Sequence, residues 1–352
     1  MADHDATTEL TEQVREATAR GTPLRIVGGD TKRFLGRHVP AADLHTTGHA
    51  GIVSYDPAEL VITARAGTPL RDVEATLAAQ NQRLPFEPPS FGESATIGGA
   101  VACGLAGPAR VAFGPLRDYV LGVRVLTGDG RVLRFGGEVI KNVAGYDVAR
   151  SMVGAFGTLG VLLDVSLKVL PCPPSSRTLS LEHNAEDALV ELGRLAGTAM
   201  PLTASCWCSG SLALRFEGTE RTLDDVQRRV GGTPVEDGAG LWRSIREHTH
   251  PFFEAHVPLW RLLVPAAAPA LPVRREPLIE WNGLQRWYAL DSDAFFDAAA
   301  LAGGHATLFR HDGAADAVFA RPAEASMRLH GSLKKIFDPA GILNSGRMYA
   351  DF

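Results

Sequence analysis

Four glycine-rich segments follow one another between Pro88 and Pro171, and no other feature constrains the fold of this chain as strongly. They span 94–99, 104–107, 141–147 and 154–161. Glycine lacks a Cβ, so its backbone can approach a neighbouring group closely and adopt conformations that other residues avoid. This density of glycine among small apolar residues indicates backbone packed against something bulky, and an extended cofactor fits that description best.

Composition places the chain among ordinary globular proteins. Its 352 residues, 45% hydrophobic and 21% charged, are enough for two domains and exclude disordered and repeat classes. A net charge of −5 without a basic block disfavours nucleic-acid binding. The first residues lack a secretory signal pattern and no long apolar run occurs, so we expect a cytoplasmic protein, at most peripheral to the inner membrane through partners.

The cysteines do not indicate a metal site. Cys103, Cys172, Cys206 and Cys208 lack the close spacing of four thiolates that an iron–sulfur cluster or structural zinc needs. Cys206 and Cys208 alternate along a run typical of a buried strand. We therefore predict no metal.

Apolar periodicity predicts both helices and strands in the first half of the chain. Leu10, Val14 and Ala17 share one face of a predicted helix at 8–20. An Asp-Gly turn within 127–130 predicts a hairpin. The predicted strands are 24–27, 52–55, 60–64, 121–126, 131–135 and 161–170, and a second helix follows Thr68 as N-cap and Pro69 as first helical residue.

The proline-rich stretch 171–174 predicts a domain boundary. Beyond it the order βαββα is predicted. A similar order follows, with an Ala/Pro-rich stretch in place of the first helix and a further strand at the end. Two such units would build one antiparallel sheet with helices on one face. A final amphipathic helix at 324–337 leads into a turn-rich tail that we expect to pack back onto the body. The elements of the two units are 178–181, 185–195, 202–208, 212–216 and 219–230, then 259–264, 278–281, 285–290, 293–301 and 306–309.

The turn 28–32 follows the first predicted strand directly. Its backbone N–H groups, with the Thr31 hydroxyl and the Lys32 charge, suit a diphosphate, although a plain turn has the same pattern. No Gly-x-Gly-x-x-Gly fingerprint and no Walker pattern occurs, which disfavours nicotinamide and ATP enzymes.

Taken in order, 24–31, 88–99, 154–160 and 338–344 resemble the vanillyl-alcohol-oxidase/PCMH family of FAD flavoproteins over nearly the whole chain. Within it, 141–148, 241–247, 285–287 and 344–349 are similar to the FAD-binding (E) subunits of bacterial glycolate oxidases. The resemblance implies an α+β fold. Its parts are a two-subdomain PCMH-type FAD-binding domain at 1–172 (subdomains about 1–48 and 49–172), an antiparallel-sheet cap domain of ferredoxin-like βαββα units at 173–323, and a C-terminal segment at 324–352 that returns to the FAD domain.

The resemblance also implies FAD as cofactor. The first turn would hold its diphosphate, the second glycine loop would line the diphosphate and flavin, and Asn344 would return to the flavin edge. No His or Cys stands in the context of a covalent flavin link, so we expect non-covalent FAD. The implied cofactor-binding residues are Gly28, Gly29, Asp30, Thr31, Lys32, Pro89, Gly92, Ser94, Ala95, Thr96, Gly98, Gly99, Ala102, Gly104, Gly157, Gly160, Val161 and Asn344.

The first turn departs from the family pattern at one position. Family members commonly carry three consecutive glycines, and Asp30 stands here at the third. This puts a carboxylate near the expected phosphates. We interpret Asp30 as an outward-facing turn residue.

Oxidation of a 2-hydroxy acid on a flavin needs a cation for the carboxylate and a base for the hydroxyl proton. The candidates are Arg246, His248, Arg286 and His305, with His250, His256, Arg261 and Arg310 as further basic residues of the same part of the chain. A solvated or structural role is the favoured interpretation of each. The histidine pair with six intervening residues found in related catalytic subunits is not reproduced, because His305 and His311 have five between them.

Three functions remain open from the sequence. The favoured one is the FAD-binding subunit of a glycolate oxidase complex, an FAD-dependent oxidoreductase subunit beside a homologous FAD-containing catalytic subunit and an iron–sulfur subunit. The second is a self-sufficient flavoenzyme that oxidises glycolate or D-lactate. The third is a non-redox assembly subunit that retains the flavoprotein fold.

Overall fold

The computed structural model describes residues 3–38, 40–137, 147–255, 258–269, 271, 273, 275–292, 294–312, 315 and 317–352. Most of the third glycine-rich segment (141–146), His256 and the predicted helix start at Asp293 lie outside these residues.

The amino-terminal half contains two small two-stranded pairings and one five-stranded sheet. Its elements are α1 (Thr7–Arg20), β1 (Leu24–Val27), β2 (Ala42–His45), β3 (Ile52–Asp56), β4 (Val61–Arg65), α2 (Leu70–Ala78), β5 (Gln82–Arg83), α3 (Ile97–Cys103), α4 (Arg110–Phe113), β6 (Val120–Leu126), β7 (Val132–Gly136), α5 (Val148–Ser151), β8 (Val161–Lys168) and β9 (Leu170–Pro171).

The other half is built around an eight-stranded sheet and ends in a long helix. Its elements are β10 (Ser175–Glu182), α6 (Ala185–Ala196), β11 (Leu202–Cys208), β12 (Ser211–Gly218), α7 (Glu220–Val230), β13 (Thr233–Pro234), α8 (Gly238–Arg246), β14 (Leu259–Leu263), β15 (Leu278–Glu280), β16 (Gln285–Ala289), α9 (Phe295–Leu301), β17 (His305–Arg310) and α10 (Glu324–Phe337).

The helix α1 confirms its predicted apolar face. Leu10, Val14 and Ala17 are its buried residues, and Gly21 ends it in the left-handed conformation with φ 64°. The buried face packs against Val161 at the start of β8. Burying a side chain such as Leu10 or Val14 stabilises the fold by about 1.5–3 kcal/mol.

The five-stranded sheet has the order β3-β4-β8-β6-β7, and every neighbouring pair is antiparallel. All residues of the central strand β8 except the last are buried. Helices α2 and α3 cover the sheet through Leu70, Val73, Leu77, Ile97 and Val101. The predicted strand 161–170 ends earlier than expected, because Leu170–Pro171 pairs with Gln82–Arg83 instead.

The eight-stranded sheet has the order β13-β10-β12-β11-β15-β16-β14-β17. The first unit contains a short fourth strand, β13, that was not predicted. With the strands of each observed unit numbered in chain order, β10–β13 and β14–β17 both have the spatial order 4-1-3-2, and the two units meet through β11 and β15. This duplication confirms the antiparallel sheet of ferredoxin-like units, although no residue-level repeat is visible in the sequence.

The helices cover this sheet unequally. Helices α6 and α7 pack on one face around Trp207 and Phe216, and α9 packs on Tyr288. Helix α8 is an exception to the predicted one-sided arrangement, because its Trp242 and Ile245 pack on the opposite face. There they lie between the sheet and the amino-terminal half.

Polar contacts join the two halves of the chain. Arg83 forms a two-point ion pair with Glu217, with N···O distances of 2.9 and 2.5 Å. The indole N–H of Trp281 donates to the Gly107 carbonyl at 3.1 Å. Through the described part of the chain, no helix combines the length and apolarity needed to cross a bilayer.

Candidate functional site

A cleft, here named the Gly28 cleft, lies where the first turn meets the beginning of α3 and the loop before β8. Twelve of the predicted cofactor-binding residues line it: Gly28, Gly29, Asp30, Thr31, Lys32, Thr96, Gly98, Gly99, Ala102, Gly157, Gly160 and Asn344. Segments from both ends of the chain therefore line the same cleft. The order of the glycine-rich segments was the sequence signal for this convergence.

The turn 28–32 presents unused hydrogen-bond donors. Within the described residues, its backbone N–H groups donate to no protein acceptor. Successive backbone N–H groups in a turn form a concave binding site for anions. The turn therefore offers donors that suit an anion.

The first turn and the second glycine loop pack backbone against backbone. A Cβ added to Gly29 would overlap the Ser94 carbonyl oxygen, and one added to Gly28 would lie 2.6 Å from Thr96 Oγ1. Ser94 Oγ donates to the Gly29 carbonyl at 2.7 Å. Glycine is required here because the two segments touch.

Asp30 stands in the left-handed region, with φ 55°. This conformation explains why glycine suits the position, and aspartate is among the residues that tolerate it. Its carboxylate lies 3.1 Å from Arg25 and 3.6 Å from Arg33. Arg25 also pairs with Asp43, at 2.8 Å. The negative charge of Asp30 is thus offset at the rim of the cleft.

The side chains of Thr31 and Lys32 have protein partners of their own. Thr31 Oγ1 donates to the Ser90 carbonyl at 2.7 Å and Lys32 Nζ donates to the same oxygen at 3.1 Å. Burial lowers the pKa of Lys32. Their hydrogen bonds hold the 90–92 loop in place, and the backbone of the turn remains as the uncommitted donor set.

The beginning of α3 is held tightly against β4 and the loop after it. Thr96 caps the helix by accepting from Gly99 N at 3.1 Å. A Cβ on Gly98 would lie 2.6 Å from the Cβ of Ala66. A side chain at Gly98 would therefore clash with protein.

Asn344 joins the carboxyl-terminal tail to two other walls of the cleft. Its Oδ1 accepts from Ile26 N at 2.8 Å, and its Nδ2 donates to the Phe156 carbonyl at 2.6 Å. Gly157, with φ 71°, leaves room for this amide, since a Cβ there would lie 2.8 Å from Nδ2. The carboxyl-terminal tail thus contacts the cleft through this side chain.

Six predicted cofactor-binding residues do not line the cleft: Pro89, Gly92, Ser94, Ala95, Gly104 and Val161. Gly104 ends α3 in the left-handed conformation, with φ 63°. Val161 is fully buried beside α1. Ten other residues line the cleft without having been predicted: Arg25, Ile26, Val27, Arg33, Thr46, Ala66, Cys103, Phe156, Leu162 and Arg347.

Arg347 is the most informative of these additions. It donates to the carbonyl groups of Arg33 at 3.1 Å, Leu35 at 2.5 Å and Arg37 at 3.1 Å. No carboxylate lies within ion-pair distance of it in the described residues. Burial lowers the pKa of Arg347. Its position two residues after the Asn344-Ser345 pair in the family-like tail was the available sequence signal.

None of the four catalytic candidates lines the cleft. Arg246 pairs with Glu247 at 2.8 Å, and Arg286 donates to the Pro269 carbonyl at 2.6 Å on the α9 side of the sheet. His248 stacks on Phe253 with ring centroids 3.9 Å apart, and burial holds the pKa of its imidazole well below the usual range. His305 is exposed at the start of β17.

An aromatic cluster lies between the amino-terminal half and the cap sheet. Phe34 and Phe91 of the first half have ring centroids 5.5 Å apart, and Phe34 lies 5.6 Å from Phe309 of the sheet. Trp287 extends the cluster, 4.8 Å from Phe309. This face of the cap is apolar where it meets the first half.

Behind Trp287 lies a buried polar group. The carboxylate of Glu280 accepts from Trp287 Nε1 at 2.7 Å and from Gln285 Nε2 at 3.0 Å. Burial raises the pKa of Glu280 to about 7, against the opposing effect of these hydrogen bonds and of Arg261. Burial also lowers the pKa of Arg261 to about 10.

Comparison with known proteins defines the class. Residues 5–136 match the family described as FAD binding domain. The fold is like that of alkyldihydroxyacetonephosphate synthase, with a TM-score of 0.65 and 15% identity over 97% of this chain and 74% of that chain. The family match makes the protein a flavoprotein with an FAD-binding domain, and the fold is consistent with it.

Sequence similarity gives the family within that class. The chain is 46% identical to glycolate oxidase subunit GlcE of Escherichia coli (strain K12), over 100% of this chain and 99% of that protein. It is 34% identical to a D-lactate dehydrogenase of Anaerostipes hadrus, over 39% of this chain and 29% of that one. It is 32% identical to glycolate oxidase subunit GlcD of Bacillus subtilis (strain 168), over 40% of this chain and 30% of that protein. The chain belongs to the family of glycolate oxidase subunit GlcE.

Proposed function

We propose that this chain is the FAD-bearing subunit of a glycolate oxidase complex and holds FAD non-covalently in the Gly28 cleft. It takes part in the oxidation of glycolate or D-lactate to the 2-oxo acid and passes electrons to a partner subunit. The carrying observation is the set of uncommitted N–H groups at 28–32, whose residues line a cleft that also contains apolar side chains. The full-length similarity to a glycolate oxidase subunit supports the substrate class.

The residues present fit FAD. The amides of 28–32 suit a diphosphate, with Arg33 and Arg347 as additional positive charge at the same cleft. Ile26, Phe156 and Leu162 offer apolar contact for a ring system. Burial raises the pKa of the Cys103 thiol, which keeps it protonated and supports non-covalent binding. Bound FAD supplies the redox chemistry, and the chain supplies binding and orientation.

The lining favours a role beside a partner over independent catalysis. Among the described residues, Asp30 is the one carboxylate and no histidine lines the cleft. Asp30 is already paired with Arg25, so a free base for the hydroxyl proton is absent from this wall. We infer that a homologous FAD-containing catalytic subunit performs the substrate step and that an iron–sulfur subunit receives the electrons. The complex would be cytoplasmic, peripheral to the inner membrane through these partners.

We further propose the domain ranges 1–172 for FAD binding (with subdomains about 1–48 and 49–172), 173–323 for the cap and 324–352 for the returning segment. Support comes from the separate five-stranded and eight-stranded sheets on either side of the Pro171 region. The tail supports the last range, because Leu24 N donates to the Ile342 carbonyl at 2.7 Å.

Anaerobic reduction tests the role. The isolated FAD-loaded chain is mixed with glycolate or D-lactate, and the flavin absorbance is followed with and without the purified partner subunits. We expect bleaching only when the partners are present. Rapid bleaching of the isolated chain would establish the self-sufficient enzyme instead, and a chain that takes up no FAD would establish an assembly subunit.

A further inference from the structure

Lys334, in the last turn of α10, is a buried lysine whose ammonium group contacts three oxygen atoms. Its Nζ donates to the Thr158 carbonyl at 2.8 Å and to the Leu343 carbonyl at 2.6 Å, and lies 2.8 Å from Asp338 Oδ2. Burial lowers the pKa of Lys334, against the raising effect of Asp338. The neighbouring Lys335 is exposed.

The carboxylate of Asp338 organises the turn that follows α10. It is 1% exposed. Its Oδ1 accepts from Ile342 N at 3.2 Å and its Oδ2 accepts from Leu343 N at 2.8 Å. Its backbone carbonyl accepts from Gly341 N at 3.0 Å. The chain between the helix and Leu343 therefore winds around this one side chain.

Asn344 is the next residue, and its conformation depends on that turn. It adopts φ 45°, in the left-handed region, which asparagine tolerates better than most residues. Its backbone N donates to the Leu24 carbonyl at 2.9 Å, while its side chain bridges Ile26 and Phe156. A shift of the tail would break all three contacts and move Asn344 within the wall of the Gly28 cleft.

Lys334 ties the tail to the loop that it crosses. Thr158 belongs to the 156–160 loop, of which Phe156, Gly157 and Gly160 line the cleft. The Lys334 ammonium group bridges the carbonyl groups of Thr158 and Leu343. The side-chain amide of Asn344 binds the Phe156 carbonyl directly. The side chains of Lys334 and Asn344 thus fix the spacing between the tail and the 156–160 loop.

A buried ion pair is a poor way to gain stability alone, because desolvating two charges offsets much of their attraction. The hydrogen bonds of such a pair require a specific geometry, so the pair is better suited to holding the backbone in one arrangement. We propose that Lys334 and Asp338 are positioning residues for the cofactor, which act through Asn344 by holding it and the 156–160 loop at the Gly28 cleft. This inference rests on the proposed binding of FAD there.

A double-mutant cycle tests the inference. FAD is titrated into the apo forms of the wild type, Lys334→Met, Asn344→Ala and the double variant, with quenching of flavin fluorescence giving Kd and thermal unfolding giving Tm. We expect Lys334→Met to raise the Kd for FAD about tenfold in the wild-type background. A change of this size corresponds to the loss of about one hydrogen bond's contribution to binding. In the Asn344→Ala background, Lys334→Met should leave Kd unchanged, because Asn344 is no longer there to be positioned. It should still lower Tm, because the buried contacts of Lys334 are lost in either background.

The control and the contrary outcomes are specific. Lys335→Met removes the adjacent exposed lysine and should keep the wild-type Kd. Asp338→Asn, which keeps one of the two acceptor oxygens used by Ile342 N and Leu343 N and removes the negative partner of Lys334, replaces Lys334→Met if that variant does not fold. An equal rise in Kd in both backgrounds, or no rise in either, overturns the positioning role. Failure of the wild type to bind FAD overturns the proposed function as well.

Discussion

Gly29 lies so close to Ser94 that the first turn has no room for a Cβ against the second glycine loop. The two segments are 65 residues apart in the chain, and Ser94 Oγ also donates to the Gly29 carbonyl. Backbone contact between them places the uncommitted N–H groups of 28–32 at the cleft. The geometry of the proposed diphosphate site therefore depends on a glycine that faces protein.

Gly29→Ala tests this dependence. The added methyl group must push the turn away from Ser94, and we expect unfolding to become easier by about 1–3 kcal/mol, as for other overpacked sites. We also expect a large loss of FAD affinity, measured by titration of the apo protein. Gly193→Ala is the matched control, because no atom lies within 4 Å of a Cβ at that helical position. If Gly29→Ala retains wild-type affinity, the turn does not carry the diphosphate.

Asp30→Asn tests the carboxylate at the rim. The substitution keeps the side-chain shape and tolerance of positive φ, and it releases Arg25 and Arg33 from a negative partner. We expect FAD affinity to rise a few-fold at low salt and the gain to shrink at high salt, because exposed charges are screened. Titrations at two ionic strengths measure this. A weaker affinity at low salt would mean that Asp30 supports binding.

The sequence predicted the elements well because their signals are local. The apolar face of α1 and the alternation of the cap strands follow from periodicities of 3.6 and two residues. The face of the sheet on which each side chain lies was not predictable. Trp287 faces the aromatic cluster and its neighbour Arg286 faces α9, and only the tertiary arrangement decides which face each one takes. The catalytic candidates were assigned without that knowledge, and none lines the cleft.

The glycine-rich segments predicted the place of the cleft but not the partner of each group. Thr68 was predicted to cap α2, and its hydroxyl instead exchanges hydrogen bonds with Gly51 N and O at 2.9 and 3.0 Å. Thr31 and Lys32 likewise bind Ser90. Such contacts join residues far apart in the chain, so local pattern contains no sign of them. Lys334 was missed for the same reason.

Glu280 should make the stability of the chain depend on pH. Its pKa is raised to about 7 in the folded state. The folded state therefore retains a proton that the unfolded state has lost between about pH 4.5 and 7, so stability falls as pH rises through this window. We expect Glu280→Gln, which keeps acceptor and volume, to remove about 1–3 kcal/mol of this fall. Denaturant unfolding at pH 5 and pH 8 measures it.

A control separates this effect from general surface titration. Glu276 is an exposed carboxylate on the segment before β15, and Glu276→Gln should leave the pH profile as in the wild type. An unchanged pH dependence in Glu280→Gln would show that Glu280 is ionised throughout the range.

The ion pair between Arg83 and Glu217 should couple the two halves of the chain. Both side chains are shielded, with 21% and 7% exposure, and the pair is bidentate. We expect a coupling energy of about 1–3 kcal/mol from the cycle Arg83→Met, Glu217→Gln and the double variant. Denaturant unfolding measures it. A coupling near zero would mean that this ion pair does not help to attach the cap.

The central claim is that this chain holds FAD non-covalently in the Gly28 cleft. The most direct measurement is the flavin content of the purified chain after incubation with FAD, taken before and after denaturation and removal of the precipitated polypeptide. We predict one FAD per chain, all of it released into the supernatant, and far less in Gly29→Ala. A chain that takes up no flavin, or flavin that stays with the denatured polypeptide, would contradict the claim.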